Sequence, residues 1–225
     1  ADVALPTFNN STSLAISPDG MRLVFASGNR LFTRRLDQPT ATELSGTQGG
    51  APFFSPDGTW VGFAVRNQVN KISVEGGPVV PVGGIDGVFS GASWAEDGSI
   101  FVGDAGGKGL LQLPDAVGAA KVLAPNDGAV VNVEPQVLPG GKALVFAAGN
   151  PSTGVDSYTI EVLTLADGRR KVVARGGQSP RYLASSDGTG HLIYINRATL
   201  FAIPFDLATL ETRGTAVPVL DDVAG

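Results

Sequence analysis

The stretch Ala51–Gly84, APFFSPDGTWVGFAVRNQVNKISVEGGPVVPVGG, alternates short apolar segments with turns. Its first turn, Ser55-Pro56-Asp57-Gly58, suits a type I turn that ends in a left-handed residue, because Pro presets φ and Gly tolerates a positive φ. Two prolines in the last segment fit only the edge of a sheet. The stretch therefore predicts four antiparallel strands, in residues 53–55, 60–65, 69–74 and 78–82.

The same pattern recurs along the chain. Successive turn glycines lie 38, 40, 43 and 47 residues apart, at positions 20, 58, 98, 141 and 188. A unit of about forty residues cannot bury both faces of its own sheet, so several copies are expected to stack. The pattern predicts an N-terminal strand in residues 1–8 and repeats over about 9–47, 51–83, 91–124, 134–175 and 180–221.

Short strands joined by Gly and Pro, without a sustained helical period, predict an all-β fold. Repetition favours a β-propeller of four-stranded antiparallel blades over a sandwich. We therefore expect a single β-propeller domain over 1–225 with five blades, or a piece of a six-bladed propeller.

Composition restricts the partners of this chain. The net charge of −5 provides no basic surface for nucleic acid or anionic lipid. The absence of cysteine excludes disulfides and thiolate chemistry. No apolar run approaches about 18 residues, so we expect no membrane insertion by this segment. The N-terminus also lacks the pattern of a signal peptide. If the natural product is longer, we expect this chain to be a soluble piece of it.

The repeated turn between apolar strands resembles the WD40-like (PD40), TolB-type propeller repeat. The features as a whole are closest to propeller sensor domains of bacterial serine/threonine protein kinases. The resemblance covers nearly the whole chain, although five repeats are found where it implies six blades. The matching segments are FFSPDG at 53–58, VEGGP at 74–78, GASW at 91–94, LPGGK at 138–142, GHLIY at 190–194 and LFAIPFD at 200–206.

This resemblance implies an extracytoplasmic sensor or scaffold, periplasmic or extracellular, within a larger bacterial protein. The leading function that we expect is a non-enzymatic module that binds a protein, a peptide or a small glycan. No kinase motif occurs in the sequence.

The residues offer little for catalysis. His191 is the single histidine, and no G-x-S-x-G motif accompanies it, so a structural role is favoured over a general base. The turn carboxylates could in principle hold a metal, but hydrogen bonding to the turn backbone accounts for them. We therefore predict no catalytic residue, no metal and no cofactor, and assign structural turn roles to Asp19, Gly20, Asp57, Gly58, Asp97, Gly98, Gly141, Asp187 and Gly188.

A binding site is expected on the face that carries the long, irregular connections, because loops on a rigid scaffold carry recognition. The planar fork of Arg suits carboxylate and phosphate groups. The candidate ligand-binding residues, in order of preference, are Arg181, Glu134, Arg66, Asp104 and Arg175.

Two other functions stay open at this stage. One is a hydrolase or lyase that uses carboxylates, because propellers also host enzymes. The other is a propeller fragment with no independent function. An open arc of blades would also expose apolar faces, which predicts either a tightened five-bladed ring or self-association through those faces.

Overall fold

The structure is a computed structural model that describes residues 14–114, 118–185 and 189–223. It contains five antiparallel sheets, in each of which four consecutive strands pair in sequence order, and the fifth sheet has one additional strand. This arrangement confirms the predicted all-β fold with five four-stranded propeller blades. The strands of the first two sheets are β1 (Leu14–Ile16), β2 (Arg22–Ser27), β3 (Arg30–Arg35), β4 (Thr42–Glu43), β5 (Gly50–Phe54), β6 (Trp60–Val65), β7 (Gln68–Ser73) and β8 (Val80–Gly84).

The remaining three sheets follow the same order. Their strands are β9 (Val88–Trp94), β10 (Ile100–Ala105), β11 (Gly109–Leu113), β12 (Lys121–Ala124), β13 (Val131–Val137), β14 (Ala143–Gly149), β15 (Thr159–Thr164), β16 (Arg170–Arg175), β17 (Gln178–Ala184), β18 (Gly190–Asn196), β19 (Thr199–Asp206), β20 (Glu211–Thr212) and β21 (Val217–Leu220). The chain divides into two compact units, one with the first two sheets and one with the last three.

In the first unit, two sheets share one apolar core. Fully buried side chains from both, among them Leu31 and Phe63, form this core. The core forms because the middle strands β2, β3, β6 and β7 carry apolar residues at alternate positions, which point to one face. Strand β8, with its Pro81, lies at the edge of its sheet, where a missing N–H costs no ladder bond.

In the second unit, apolar side chains fill the space between successive sheets. Phe101, Leu110 and Phe146 belong to a cluster from the third and fourth sheets. Ile160 and Leu192 belong to a larger cluster from the fourth and fifth sheets. Each cluster combines residues from two sheets, so stacking buries what a single sheet would leave exposed.

The first strands of four sheets contain an irregularity that the sequence did not reveal. In each strand one residue has a positive φ: Ala51 at 53°, Gly91 at 90°, Glu134 at 56° and Ser179 at 54°. The pairing register shifts at each of these places. These are β-bulges, which insert one residue and re-aim the side chains beside it.

Because strands β9, β13 and β17 continue through these bulges, the connections before them are shorter than predicted. Glu134 lies within β13, whereas the sequence placed it at the boundary between a connection and its strand, and Arg181 lies within β17, where a strand was expected to begin. The connection between β10 and β11 is also short, since β10 extends to Ala105 and β11 begins at Gly109.

The fifth sheet differs from the prediction in its outer edge. Strand β19 is long enough to pair with both β20 and β21, so this sheet has five strands. The connection between β14 and β15 contains two short 3-10 turns, Pro151–Thr153 and Val155–Ser157. The predicted N-terminal strand, Asp187 and Gly188 lie outside the described residues. In the described part of the chain, no helix has the length and apolar character needed to cross a bilayer.

Candidate functional site

The structure brings together Glu134 and Arg181, two of the predicted binding residues. They lie on β13 and β17, the first strands of the fourth and fifth sheets, beside their bulges. Nη1 of Arg181 donates to the carbonyl oxygen of Pro180 at 2.7 Å and to that of Glu134 at 3.5 Å. The bulges thus place the positively charged Arg181 side chain against the backbone of β13.

The guanidinium of Arg181 is half-buried and has unused donors. Burial lowers the pKa of Arg181, and the negative charge of Glu134 opposes this effect. Among the described residues, no carboxylate forms an ion pair with Arg181, and only Nη1 has a protein acceptor. Nε and Nη2 therefore remain able to donate two parallel hydrogen bonds to an anion.

The carboxylate of Glu134 is engaged by Ser179. Its two oxygens accept hydrogen bonds from the Ser179 backbone nitrogen at 2.6 Å and from the Ser179 hydroxyl at 3.0 Å. Glu134 consequently acts as a link between neighbouring strands, and its charge stays beside Arg181 without pairing directly with it.

Ser90 is a site residue that sequence reasoning missed. Its Oγ is the buried side-chain polar atom that lacks a hydrogen-bond partner within the described ranges. A Cβ placed on Gly103 would lie 2.5 Å from Ser90 Oγ and 3.3 Å from the Glu134 nitrogen, so both groups border the same space. Its neighbour Gly91 has φ of 90°, and a Cβ placed there would lie 3.0 Å from the Glu134 Cα.

The other predicted binding residues are not part of this group. Asp104 is fully buried, and its carboxylate accepts backbone hydrogen bonds from Asp86, Gly87 and Lys108 at 3.2, 2.6 and 2.9 Å. It therefore holds the loop around the start of β9. Arg175 is exposed at the end of β16. Arg66 is exposed on the β6–β7 turn of the other unit.

The turn residues have the geometry that their motif requires. Gly20, Gly58, Gly98 and Gly141 have φ between 67° and 88°. The carboxylate of Asp57 accepts from the Ser55 hydroxyl at 2.5 Å and from the Thr59 nitrogen at 3.0 Å. Asp19 and Asp97 accept from the nitrogen two residues later, in the same way. These carboxylates bond their own turns.

His191 lies on β18, where its Nδ1 is 3.2 Å from the hydroxyl of Ser185. Among the described residues, no group of three or more His, Cys, Asp or Glu side chains has the arrangement of a metal site.

The fold resembles those of several solved propellers. TolB from Acinetobacter baumannii aligns with a TM-score of 0.69 and 16% identity, over 94% of this chain and 55% of that one. A putative TolB from Agrobacterium tumefaciens aligns with a TM-score of 0.69 and 15% identity, over 93% of this chain and 80% of that one. An oligogalacturonate lyase in complex with manganese aligns with a TM-score of 0.64 and 15% identity, over 91% of this chain and 64% of that one.

No protein-family model and no curated protein matches the sequence. The chain spans about half the length of the Acinetobacter TolB and almost two thirds of the lyase. At such identities the similarity shows the fold alone. The chain has the fold of the TolB-like β-propellers.

Proposed function

We propose that this chain is a non-enzymatic binding module that takes an anionic group of a peptide, a partner protein or a small glycan at Arg181. By the resemblance of its repeats, it serves as the extracytoplasmic sensor or scaffold part of a larger bacterial protein, such as a serine/threonine kinase. TolB structures are among the proteins with this fold, which is consistent with such a role.

The observation that carries the proposal is the unpaired, half-buried guanidinium of Arg181. Removing a cation from water is unfavourable unless an opposite charge or several hydrogen bonds replace its hydration. The carboxylate of Glu134 is hydrogen bonded to Ser179, so Nε and Nη2 of Arg181 stay free for a ligand. A ligand carboxylate or phosphate would complete this coordination.

The hydroxyl of Ser90 lies near the proposed site but is buried in the free protein. It borders the backbone of Glu134, whose carbonyl Arg181 contacts, and it lacks a protein partner. Because less than 1 Å² of its Oγ is accessible, no ligand contact is assigned to Ser90, and the free Nε and Nη2 of Arg181 define the site. We expect an anionic group with at least two oxygens.

The test is a thermal-shift screen of carboxylic acids, sugar acids, phosphorylated sugars and short acidic peptides, followed by calorimetry on every compound that raises Tm. Arg181→Met should weaken binding of such a compound by about tenfold or more, because one charge-assisted contact contributes about 1.5–3 kcal/mol. Arg181→Lys keeps the charge without the planar fork and should fall between wild type and Arg181→Met.

Arg175→Met is the matched control, because it removes an exposed arginine of the same unit. It should bind like the wild type. Unchanged affinity in Arg181→Met, with the Tm of the free protein preserved, would disprove the site. Mass spectrometry of each bound compound after incubation tests the non-enzymatic role, and conversion to a product would favour the hydrolase or lyase alternative.

A further inference from the structure

A separate cavity of about 520 Å³ lies at the fifth sheet, where β18 begins and β19 ends. Its lining includes Tyr182, Pro204, Phe205, Leu207 and Arg213. The volume falls within the range of small-molecule sites, about 300–1,000 Å³. The sequence did not predict this cavity.

The floor of this cavity is aromatic. The rings of Tyr182 and Phe205 pack edge to face, with centroids 6.1 Å apart, and both residues are buried. A Cβ at Gly190 would lie 2.2 Å from the Tyr182 ring, so only glycine lets this ring lie flat against β18. The Tyr182 hydroxyl forms no hydrogen bond with the described residues, and it is not among the buried polar atoms that lack a partner. The cavity therefore offers a ligand an apolar surface and one hydrogen-bonding group.

The mouth of the cavity carries a fixed cation. Nη2 of Arg213 donates to the carboxylate of Asp206. That carboxylate is also held by the backbone nitrogens of Ala208 at 2.8 Å and Thr209 at 3.2 Å. The Ala208 N–H is the main reason that the pKa of Asp206 lies below its ordinary value, so the ion pair persists through mild acid.

Asp206 restrains the guanidinium of Arg213 through one nitrogen only. Nε and Nη1 of Arg213 have no acceptor within the described part of the chain. The carboxylate of a ligand in the cavity can therefore accept hydrogen bonds from Arg213. Asp206 already accepts three hydrogen bonds, so it offers less to a ligand cation.

We propose that this cavity binds a small carboxylic acid with an aromatic or other apolar body. The body lies against Tyr182 and Phe205, and the carboxylate meets Arg213. This site is distinct from the one proposed at Arg181, since Arg181 and Tyr182 are consecutive on β17 and their side chains point to opposite faces of the sheet.

The experiment uses 3-(4-fluorophenyl)propionate as the probe and the corresponding alcohol as its uncharged control, with binding followed by fluorine NMR on the whole chain. Wild type should bind the acid at least fivefold more tightly than the alcohol. Arg213→Gln should reduce acid binding to the level of the alcohol and leave the alcohol unchanged. Equal binding of acid and alcohol by wild type would overturn the proposal.

Two further variants locate the probe. Ala208→Trp places a large ring at an exposed lining position, and it should abolish binding of both compounds without loss of folding. Arg181→Met should leave acid binding unchanged, and a loss of binding there would assign the probe to the other site and refute this one.

The tripeptide Gly-Gly-Phe, with a free carboxylate, should bind no better than the acid. Tenfold tighter binding would make a peptide C-terminus the occupant instead.

Discussion

The carboxylate of Glu134 accepts hydrogen bonds from both the backbone nitrogen and the hydroxyl of Ser179, on the first strand of the next sheet. The same strands share a second contact, in which Oε1 of Gln136 accepts from the Tyr182 nitrogen at 2.6 Å. The first strand of a sheet lies at its edge, so half of its backbone donors lack a ladder partner. Side chains of the preceding sheet satisfy these donors and so tie successive sheets together.

The link between Glu134 and Ser179 should be measurable as a coupling free energy. Glu134→Ala should lower the free energy of unfolding by about 1–3 kcal/mol, because it leaves the buried donors of Ser179 unpaired. In a double-mutant cycle with Ser179→Ala, followed by urea denaturation, we expect a coupling of about 1 kcal/mol or more. Additive effects of the two substitutions would show that the pair contributes no coupling.

The turn at Gly58 should be sensitive to its backbone conformation alone. Gly58 has φ of 69°, and the nearest atom to an added Cβ would be Pro18 Cδ at 3.6 Å, an ordinary contact. Gly58→Val should therefore cost about 1–2 kcal/mol through strain in the left-handed region. Thr59→Ser keeps the hydroxyl that donates to Asp57 and should be nearly silent. Equal melting temperatures for the two variants would contradict this explanation.

The turns were predictable because each is encoded locally, by Pro, Asp and Gly within four residues. The same motif set the spacing of the repeats and hence the number of blades. The bulges were not predictable, because Ala51, Glu134 and Ser179 are residues that rarely adopt a positive φ. Their conformation depends on neighbouring strands and on contacts such as that between Glu134 and Ser179.

The candidate site was also predictable only in part. Charge and the planar fork of Arg181 made it a binding candidate from sequence, and the structure places it beside Glu134. Asp104 was also a binding candidate from the sequence. In the structure it is buried and accepts three backbone hydrogen bonds, so its role is to stabilise a loop. Ser90 gave no signal in the sequence, since a serine's lack of a partner depends on the surrounding strands.

The turn carboxylate Asp57 should make stability depend on acid pH. The hydroxyl of Ser55 is the main cause that holds the pKa of Asp57 below its ordinary value of 3.8, followed by the Thr59 N–H. A folded-state pKa that is depressed gives stability above the unfolded pKa, and this stability is lost as pH falls through the folded value. Melting curves of wild type and Asp57→Asn should therefore differ most near neutral pH and converge as the pH falls below 3.8 and through the folded-state pKa.

Ser55→Ala removes the main donor, so it should move the pKa of Asp57 back toward 3.8 in an NMR titration of the carboxyl carbon. Glu96→Gln changes an exposed carboxylate on the corresponding turn of the third sheet, and serves as a matched control for the melting curves. A constant difference between wild type and Asp57→Asn across the whole pH range would refute the linkage.

Exposed apolar side chains on the first and fifth sheets should promote self-association. Ile16 is 57% exposed on β1, and Leu220 is 59% exposed on β21. Apolar strand edges of this kind pair readily with other chains.

Light scattering over a concentration range should show association of wild type and a lower average mass for Ile16→Lys combined with Leu220→Lys. Leu36→Lys, at an exposed turn, should behave like wild type. A wild type that stays monomeric at every concentration would contradict association and favour the closed five-bladed ring.

Several of the described glycines, among them Gly62, accept an aromatic ring from a neighbouring strand or turn, and their replacement should be costly. A Cβ at Gly62 would lie 2.2 Å from the Phe53 ring, directly across the β5–β6 pair. Comparable approaches join Gly149 to Tyr158 and Gly190 to Tyr182. The ring fills the space that a side chain would occupy, which is why a large aromatic and a glycine occur opposite each other.

Gly62→Ala should therefore destabilise the chain by about 1–3 kcal/mol, because Phe53 is buried and must leave its rotamer or displace β6. Gly84→Ala is the matched control, since its Cβ would meet only the Asn67 carbonyl oxygen at 3.6 Å. Phe53→Leu should cost stability alone but reduce the additional cost of Gly62→Ala, because the smaller side chain leaves room for the methyl group. Urea denaturation of the four variants measures both effects. Equal costs for Gly62→Ala and Gly84→Ala would show that the ring moves aside freely and that the pairing imposes no packing constraint.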